Sequence, residues 1–149
     1  MSDSNVILSA IPHRPPFLFV DRIGELSPRR IVTETLADPG ADFFRGHYPG
    51  EPVMPGVLLC ECCFQSGAIL ISHHVGGWSA ADGVPVLTRI GDARFKRIVR
   101  PGDTLLTEVT LDDELDRAYV LTGRLSAGGA LAVRVTFSCM IARPEERVS

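Results

Sequence analysis

One histidine and one glutamate of this sequence stand in settings that suit acid–base chemistry. His47 lies in the segment GHYPGEPVMPG, which has three prolines and three glycines between Gly46 and Gly56. Such a segment follows a fixed, irregular path. Glu61 comes fourteen residues after His47, inside an apolar run. Because an apolar setting favours the neutral forms of a carboxylic acid and an imidazole, the two groups would be a proton donor and a proton acceptor.

Two neighbouring features would complete such a site. Gln65 follows Glu61 by four residues, so on a helix it could hydrogen-bond to the carboxyl group and orient it. The apolar run begins at Gly56, and a helix that starts there directs a free backbone N–H outward, where it could polarise a carbonyl oxygen. Together these groups predict removal of a proton alpha to a carbonyl with loss of a beta hydroxyl, which is a dehydration. The alternative is that a loop histidine and a helix glutamate coincide without a shared role.

The elements that position these groups are predicted from periodicity. Residues 56–74 contain no proline and are apolar on nearly every side, which is typical of a buried helix, and Gly76-Gly77 ends it. A short helix is predicted over residues 5–11. Strict alternation predicts a strand over residues 130–141. The other predicted strands are residues 17–23, 30–37, 85–99 (bent near Gly91), 103–111 and 117–126.

The predicted fold class is α+β, with a curved antiparallel sheet wrapped around a long central helix in a single domain spanning residues 1–149. Short connections between the last four strands favour antiparallel neighbours. One sheet covers only one side of a helix, so a second subunit is expected to cover part of the rest.

Composition and charge narrow the range of partners. The 149 residues are 45% hydrophobic and 22% charged, with a net charge of −3, which does not favour nucleic acid as a partner. Glu61 and Gln65 interrupt the longest apolar stretch, so we expect no membrane-spanning segment. The N-terminus lacks the basic leader and apolar segment of a signal peptide, which predicts a cytoplasmic protein.

The cysteines are interpreted as small buried apolar residues rather than as ligands. They are Cys60, Cys62, Cys63 and Cys139. No second Cys/His cluster has zinc-ligand spacing, so we expect no metal and no other cofactor. A reactive thiol is the alternative.

Three segments resemble a known family. GHYPGEPVMPGVLLCECCFQ, residues 46–65, resembles the signature of FabZ-type 3-hydroxyacyl-[acyl carrier protein] dehydratases, roughly G-H-[FY]-P-G-x-P-[IV]-[MF]-P-G-V-L-x-x-E-x-x-x-Q. IPHRPPFLFVDRI and DARFKRIVRPGDTL, at residues 11–23 and 92–105, resemble two flanking pieces of the same FabA/FabZ family. Together with the strand pattern, the resemblance covers almost the whole chain.

The resemblance implies a hotdog fold, in which two subunits pair to form the active sites and often assemble further as trimers of dimers. It implies that His47 takes the C2 proton of a (3R)-3-hydroxyacyl thioester during fatty-acid elongation. Glu61 of the opposite subunit would assist the departing hydroxyl, and the N–H of Gly56 would hold the thioester carbonyl. Glutamate at position 61, where the related dehydratase/isomerase has aspartate, disfavours isomerisation. The positions expected to bind substrate are Pro55, Gly56, Val57 and Gln65.

The sequence departs from the family pattern at positions that bear on chain length. Cys62, Cys63 and Phe64 stand where the family usually has Ala-Met-Ala. Pro85 and Val86 stand where aromatic residues shape or gate the acyl tunnel in the family. These departures leave the acyl chain length open and motivate an alternative, a dehydratase of a polyketide or other secondary pathway. A second alternative is a hotdog thioester-binding protein with little turnover, which has no need of a buried acid.

Basic residues are concentrated in one segment of this acidic protein, namely Arg94, Lys96, Arg97 and Arg100. One interpretation is a docking patch for an acidic acyl carrier protein and its phosphopantetheine phosphate. The other is a solvated strand edge that resists aggregation.

Two groups of residues near these motifs are expected to be structural. His13 and Arg14 could line the site, but a structural turn is the favoured interpretation. Core positions are expected for Phe17, Phe19, Phe95 and Phe137.

Overall fold

The structure is a computed structural model, and it describes residues 3–77 and 83–143. These ranges contain three helices and six strands. In chain order they are α1 (Asp3–Ala10), β1 (Arg22–Ser27), β2 (Arg30–Leu36), α2 (Phe43–Gly46), α3 (Gly56–His74), β3 (Val84–Phe95), β4 (Thr104–Leu115), β5 (Ala118–Ala127) and β6 (Ala130–Ala142).

The six strands form one antiparallel sheet in the order β1-β2-β4-β5-β6-β3. β4, β5 and β6 are joined by short turns, as the short connections in the sequence predict, and Gly128 and Gly129 both have positive φ in the β5–β6 turn. β3 is the edge strand next to β6, and its pairing is irregular between Ile90 and Ala93. This irregularity lies at the bend expected near Gly91.

Helix α3 lies against the concave face of the sheet and contacts all six strands. Most of its residues are buried, as its apolar composition predicts. Close approach requires Gly67, because a Cβ atom there would lie 2.8 Å from the ring of the buried Phe137. The result is the α+β hotdog architecture expected from the sequence, a curved sheet around a central helix.

The length and composition of α3 correct the expectation that no segment of this chain is long and apolar enough to span a membrane. Its 19 residues include an 18-residue window with a mean hydropathy of 1.3, which is long and apolar enough to cross a membrane. Within this fold, however, 72% of that window is buried. The core helix of a soluble protein has the same properties, and the packing of α3 against the sheet accounts for its apolar surface.

The predicted strand over residues 17–23 is wrong, because β1 begins only at Arg22. The backbone N–H of Phe19 donates to Oε1 of Gln65 (2.8 Å), and the carbonyl of Phe17 accepts from Nε2 of the same side chain (3.1 Å). The carbonyl of Phe19 accepts from the Thr35 hydroxyl. Side chains thus take the hydrogen bonds that a neighbouring strand would otherwise make. The other predicted elements are confirmed to within a few residues.

Candidate active site

The loop that carries His47 is held by backbone hydrogen bonds. Helix α2 ends at Gly46, and Tyr48 has a positive φ of 58°. The N–H of Glu51 donates to the Tyr48 carbonyl (2.9 Å), and the N–H of Met54 donates to the Val99 carbonyl (2.8 Å). The proline- and glycine-rich segment therefore has a fixed path.

This loop also sets the tautomer of His47. Its Nδ1 lies 2.9 Å from the carbonyl oxygen of Val53. A carbonyl oxygen only accepts, so Nδ1 carries the hydrogen and Nε2 of the neutral ring carries the free lone pair. The half-buried imidazole lies against the exposed ring of Tyr48, with centroids 4.5 Å apart. His47 is thus prepared to accept a proton at Nε2.

Gln65 orients the carboxyl group of Glu61, as their spacing on the helix predicts. Nε2 of Gln65 donates to Oε2 of Glu61 over 2.9 Å. Gln65 is fully buried, and its amide also bonds to the backbone of Phe17 and Phe19 as described above. A flipped amide would set its oxygen against the Phe17 carbonyl, so the backbone fixes the direction in which the amide donates.

His13, for which the sequence favoured a structural turn, is a neighbour of Glu61. Its Nε2 lies 3.7 Å from Oε2 of Glu61. Its buried Nδ1 makes no hydrogen bond to any residue in the described part of the chain. Arg14 has a structural role, as expected, since its guanidinium donates to the carbonyls of Leu8 and Ile11 at the end of α1.

The start of α3 presents free backbone donors. Pro55 is the N-cap residue and makes no side-chain cap; its carbonyl accepts from the N–H groups of Leu58 and Leu59. Within the described ranges the N–H groups of Gly56 and Val57 have no partner. A Cβ on Gly56 would lie 2.8 Å from the ring of Phe95, so only glycine lets that ring lie over the helix start.

The four basic residues are all exposed, at the end of β3 and in the segment that follows it. Arg94 pairs with Asp92 (2.9 Å), whereas the side chains of Lys96, Arg97 and Arg100 form no ion pair with a described residue. Arg100 lines an open groove of about 770 Å³ with Tyr48 and Ile98. The basic segment therefore adjoins the His47 loop.

Two aromatic residues expected in the core are on the surface of the chain. Phe17 is 48% exposed and Phe95 is 54% exposed, whereas Phe19 and Phe137 are buried as predicted. Apolar character alone does not distinguish a core position from a surface that another molecule covers.

The thiols are buried and free, in agreement with their interpretation as small apolar residues. Burial raises the pKa of the Cys139 thiol to about 12 and also raises the pKa of Cys60, Cys62 and Cys63. A thiolate is the reactive form, so these side chains are inert in the folded protein. Among the described residues, no three His, Cys, Asp or Glu side chains are grouped so that they could hold a metal ion.

The structure does not join His47 to Glu61 within one chain. Among residues 3–77 and 83–143, the hydrogen-bond and ionic partners of the Glu61 carboxyl are Gln65 and His13, and that of the His47 side chain is Val53. A small cavity of about 110 Å³ adjoins Glu61, and His13 lines it as well. Within the described part of one chain, therefore, the Glu61 carboxyl and the His47 imidazole have separate hydrogen-bond partners.

Comparison with solved structures supports the fold. A chain of the dehydratase heterocomplex ApeI:P from Xenorhabdus doucetiae superimposes with a TM-score of 0.79 at 14% identity, covering 94% of this chain and 93% of that one. A hypothetical thioesterase from Streptococcus pneumoniae, solved with coenzyme A, gives a TM-score of 0.64 at 15% identity and covers 94% of each chain.

Comparison with curated proteins and family models shows the family. The 3-hydroxyacyl-[acyl-carrier-protein] dehydratase FabZ of Chloroflexus aggregans is 47% identical over 110 residues, 71% of this chain and 72% of that protein. The protein of the same name from Polynucleobacter necessarius is 38% identical over 143 residues, 93% of this chain and 92% of that protein. A family model described as a FabA-like domain matches residues 11–136. The chain therefore belongs to the FabA-like family.

Proposed function

We propose that this chain is a 3-hydroxyacyl-[acyl-carrier-protein] dehydratase, a hydro-lyase that converts (3R)-3-hydroxyacyl thioesters to trans-2-enoyl thioesters in fatty-acid biosynthesis. The observation that carries the proposal is the Glu61 carboxyl, which a buried amide holds beside an apolar cavity. A protein that only bound thioesters would gain nothing from orienting an acid there. The curated relatives named above support the same reaction.

His47 is the proposed base. Its Nδ1–H is engaged by the Val53 carbonyl, so Nε2 removes the proton from C2, which is acidified by the neighbouring thioester carbonyl. The N–H of Gly56 at the start of α3 is free to hold that carbonyl oxygen as negative charge develops on it. Pro55 and Val57 flank this donor and are proposed to line the same part of the site.

Glu61 is the proposed acid. Its Oε2 accepts from Gln65, so in the neutral acid Oε1 carries the proton and is the oxygen that faces substrate. As the C3–O bond breaks, its electron pair leaves with the oxygen, which takes the Glu61 proton and departs as water. The proton on His47 then returns to the carboxylate, which restores both groups.

We further propose that the active unit is a homodimer in which Glu61 of the partner subunit faces His47. The two side chains are not joined within one chain, as described above. β3 is an edge strand whose Leu87 and Ile90 are 38% and 50% exposed, and Ile98 beyond its end is 54% exposed. An apolar strand edge of this kind favours association with another copy.

The basic segment is the proposed docking patch for the acyl carrier protein. Lys96, Arg97 and Arg100 are free of ion pairs to described residues, and Arg100 lines the groove beside the His47 loop. An acidic carrier would be attracted to this face while its phosphopantetheine arm reached the site.

One assay tests the function. The purified protein is incubated with 3-hydroxyacyl-carrier-protein substrates of increasing chain length, and enoyl formation is followed by absorbance and mass. Turnover of simple straight-chain substrates is expected. Turnover restricted to an unusual acyl group would instead indicate a secondary pathway, and binding without turnover would indicate a thioester-binding protein.

A further inference from the structure

An aromatic side chain, Phe64, lines the cavity beside Glu61. Phe64 follows Glu61 by three residues on α3, so the two side chains share a helix face. The cavity measures about 110 Å³. Besides His13 and Glu61, its lining residues are Phe64, Ala68, Pro85, Leu87 and Cys139.

This lining is suited to hydrocarbon. Beyond the carboxyl of Glu61 and the imidazole of His13, the walls are aromatic, aliphatic or thiol side chains. Burial raises the pKa of the Cys139 thiol to about 12, so this wall stays uncharged. If Glu61 donates its proton at C3, the part of the acyl chain beyond C3 is the apolar group that must enter this space.

The volume sets a limit on that part of the chain. An apolar cavity of about 150 Å³ accommodates one benzene ring, which has six carbons. By the same scale, the 110 Å³ beside Glu61 has room for about four carbons.

Packing against a buried neighbour holds the Phe64 ring in place. Its ring makes an edge contact with the ring of Phe137, with centroids 4.9 Å apart and an interplanar angle of 66°. Phe137 is only 1% exposed and is in turn packed against Gly67 of α3. A side chain held on a fully buried neighbour is a fixed wall rather than a gate.

We infer that Phe64 sets the acyl-chain length, so that this enzyme acts on short 3-hydroxyacyl chains, with about four carbons beyond C3 as the limit. The inference rests on the proposed dehydratase function and deepens it. A longer chain would have to displace the Phe64 ring or leave its terminal methylenes in water. Each methylene left unburied reduces binding about fourfold.

The test compares the chain-length profile of the natural protein with that of Phe64→Ala. The quantity measured is kcat/KM for 3-hydroxydodecanoyl-carrier protein divided by kcat/KM for 3-hydroxybutyryl-carrier protein. We expect this ratio to be low in the natural protein and to rise at least about tenfold in Phe64→Ala, because removing the ring lets several methylenes be buried. Phe64→Leu, which retains an apolar core side chain, should give a smaller rise in this ratio. It replaces Phe64→Ala in the test if the alanine variant does not fold.

Leu115→Ala is the matched control, since Leu115 is 77% exposed at the end of β4 and does not line the cavity. Its ratio should equal that of the natural protein. A natural protein that already dehydrates both substrates equally well, or a ratio that does not change in the folded Phe64 variants, would overturn the inference and leave the dehydratase function intact. No turnover of either substrate would contradict the dehydratase function itself.

Discussion

The amide of Gln65 and the carboxyl of Glu61 form a hydrogen bond of 2.9 Å on adjacent turns of α3. The direction of this bond is set by the backbone of Phe17 and Phe19, which engages the rest of the amide. Glu61 is therefore oriented by a segment far from it in sequence. The acid of the proposed site depends on how the N-terminal segment packs against the central helix.

Replacing Gln65 should affect both activity and stability. In Gln65→Ala the Glu61 carboxyl loses its orienting donor, and we expect kcat to fall about tenfold or more. The N–H of Phe19 also loses its partner in a buried position, which should lower the free energy of unfolding by about 1–3 kcal/mol. Steady-state kinetics and urea denaturation measure the two effects.

Ser66→Ala is the control for Gln65→Ala. Ser66 is the next residue on α3, is fully buried, and shares a 2.8 Å hydrogen bond with Thr33. Its loss should cost about 1 kcal/mol of stability and leave kcat unchanged. If both variants lost activity to the same extent, the effect of Gln65 would be one of stability alone.

The proposed acid and base should each be needed for turnover. His47→Ala removes the imidazole lone pair that accepts the C2 proton. Glu61→Gln keeps the shape of the side chain, but its amide is not acidic enough to protonate the departing hydroxyl. We expect kcat to fall about 10²-fold or more in each variant. Near-normal rates in either folded variant would remove that residue from the mechanism.

The basic segment should affect the KM of carrier-bound substrates only. In the double variant Arg97→Glu/Arg100→Glu we expect KM for the acyl-carrier protein to rise about tenfold at low salt, with a smaller change at high salt. Rates with a small acyl thioester that has no carrier protein should stay the same. The double variant Arg29→Glu/Arg124→Glu, at two exposed positions outside the basic segment, is the charge-matched control. An equal loss with both kinds of substrate would contradict docking.

The buried thiols should make the fold less stable in alkali. Burial raises the pKa of Cys139 from 9.0 to about 12. Above pH 9 the unfolded chain loses this proton while the folded chain keeps it, so stability falls as the pH rises from 9 toward 12. The slope is about 1.4 kcal/mol per pH unit for such a group. Cys139→Ala should flatten the decline measured by urea denaturation; an unchanged slope would show that Cys139 does not contribute.

The central helix and the last strands could be predicted from local pattern. α3 is an apolar run without proline that ends before Gly76-Gly77, and β6 alternates strictly, so each element is specified by its own residues. The apolar segment at residues 17–23 looked equally strand-like. It failed as a prediction because the backbone partner of Phe17 and Phe19 is a side chain more than forty residues away.

The site was predictable in its parts but not in its assembly. The four-residue spacing indicated that Gln65 would reach Glu61. No local signal indicated that His13 would lie 3.7 Å from the same carboxyl. The exposure of Phe17 and Phe95 also could not be predicted, because apolar composition is the same in a core and in a surface that a partner covers.

The central claim is that each active site combines His47 of one protomer with Glu61 of the partner subunit, and mixing two inactive variants tests it most directly. His47→Ala and Glu61→Gln are co-expressed with different tags, and the heterodimer carrying both tags is purified and assayed. With sites shared between protomers, each heterodimer has one intact site and one doubly altered site, so roughly half of the natural activity should return. A heterodimer as inactive as its parents would contradict the claim, because sites formed within one chain would all remain defective.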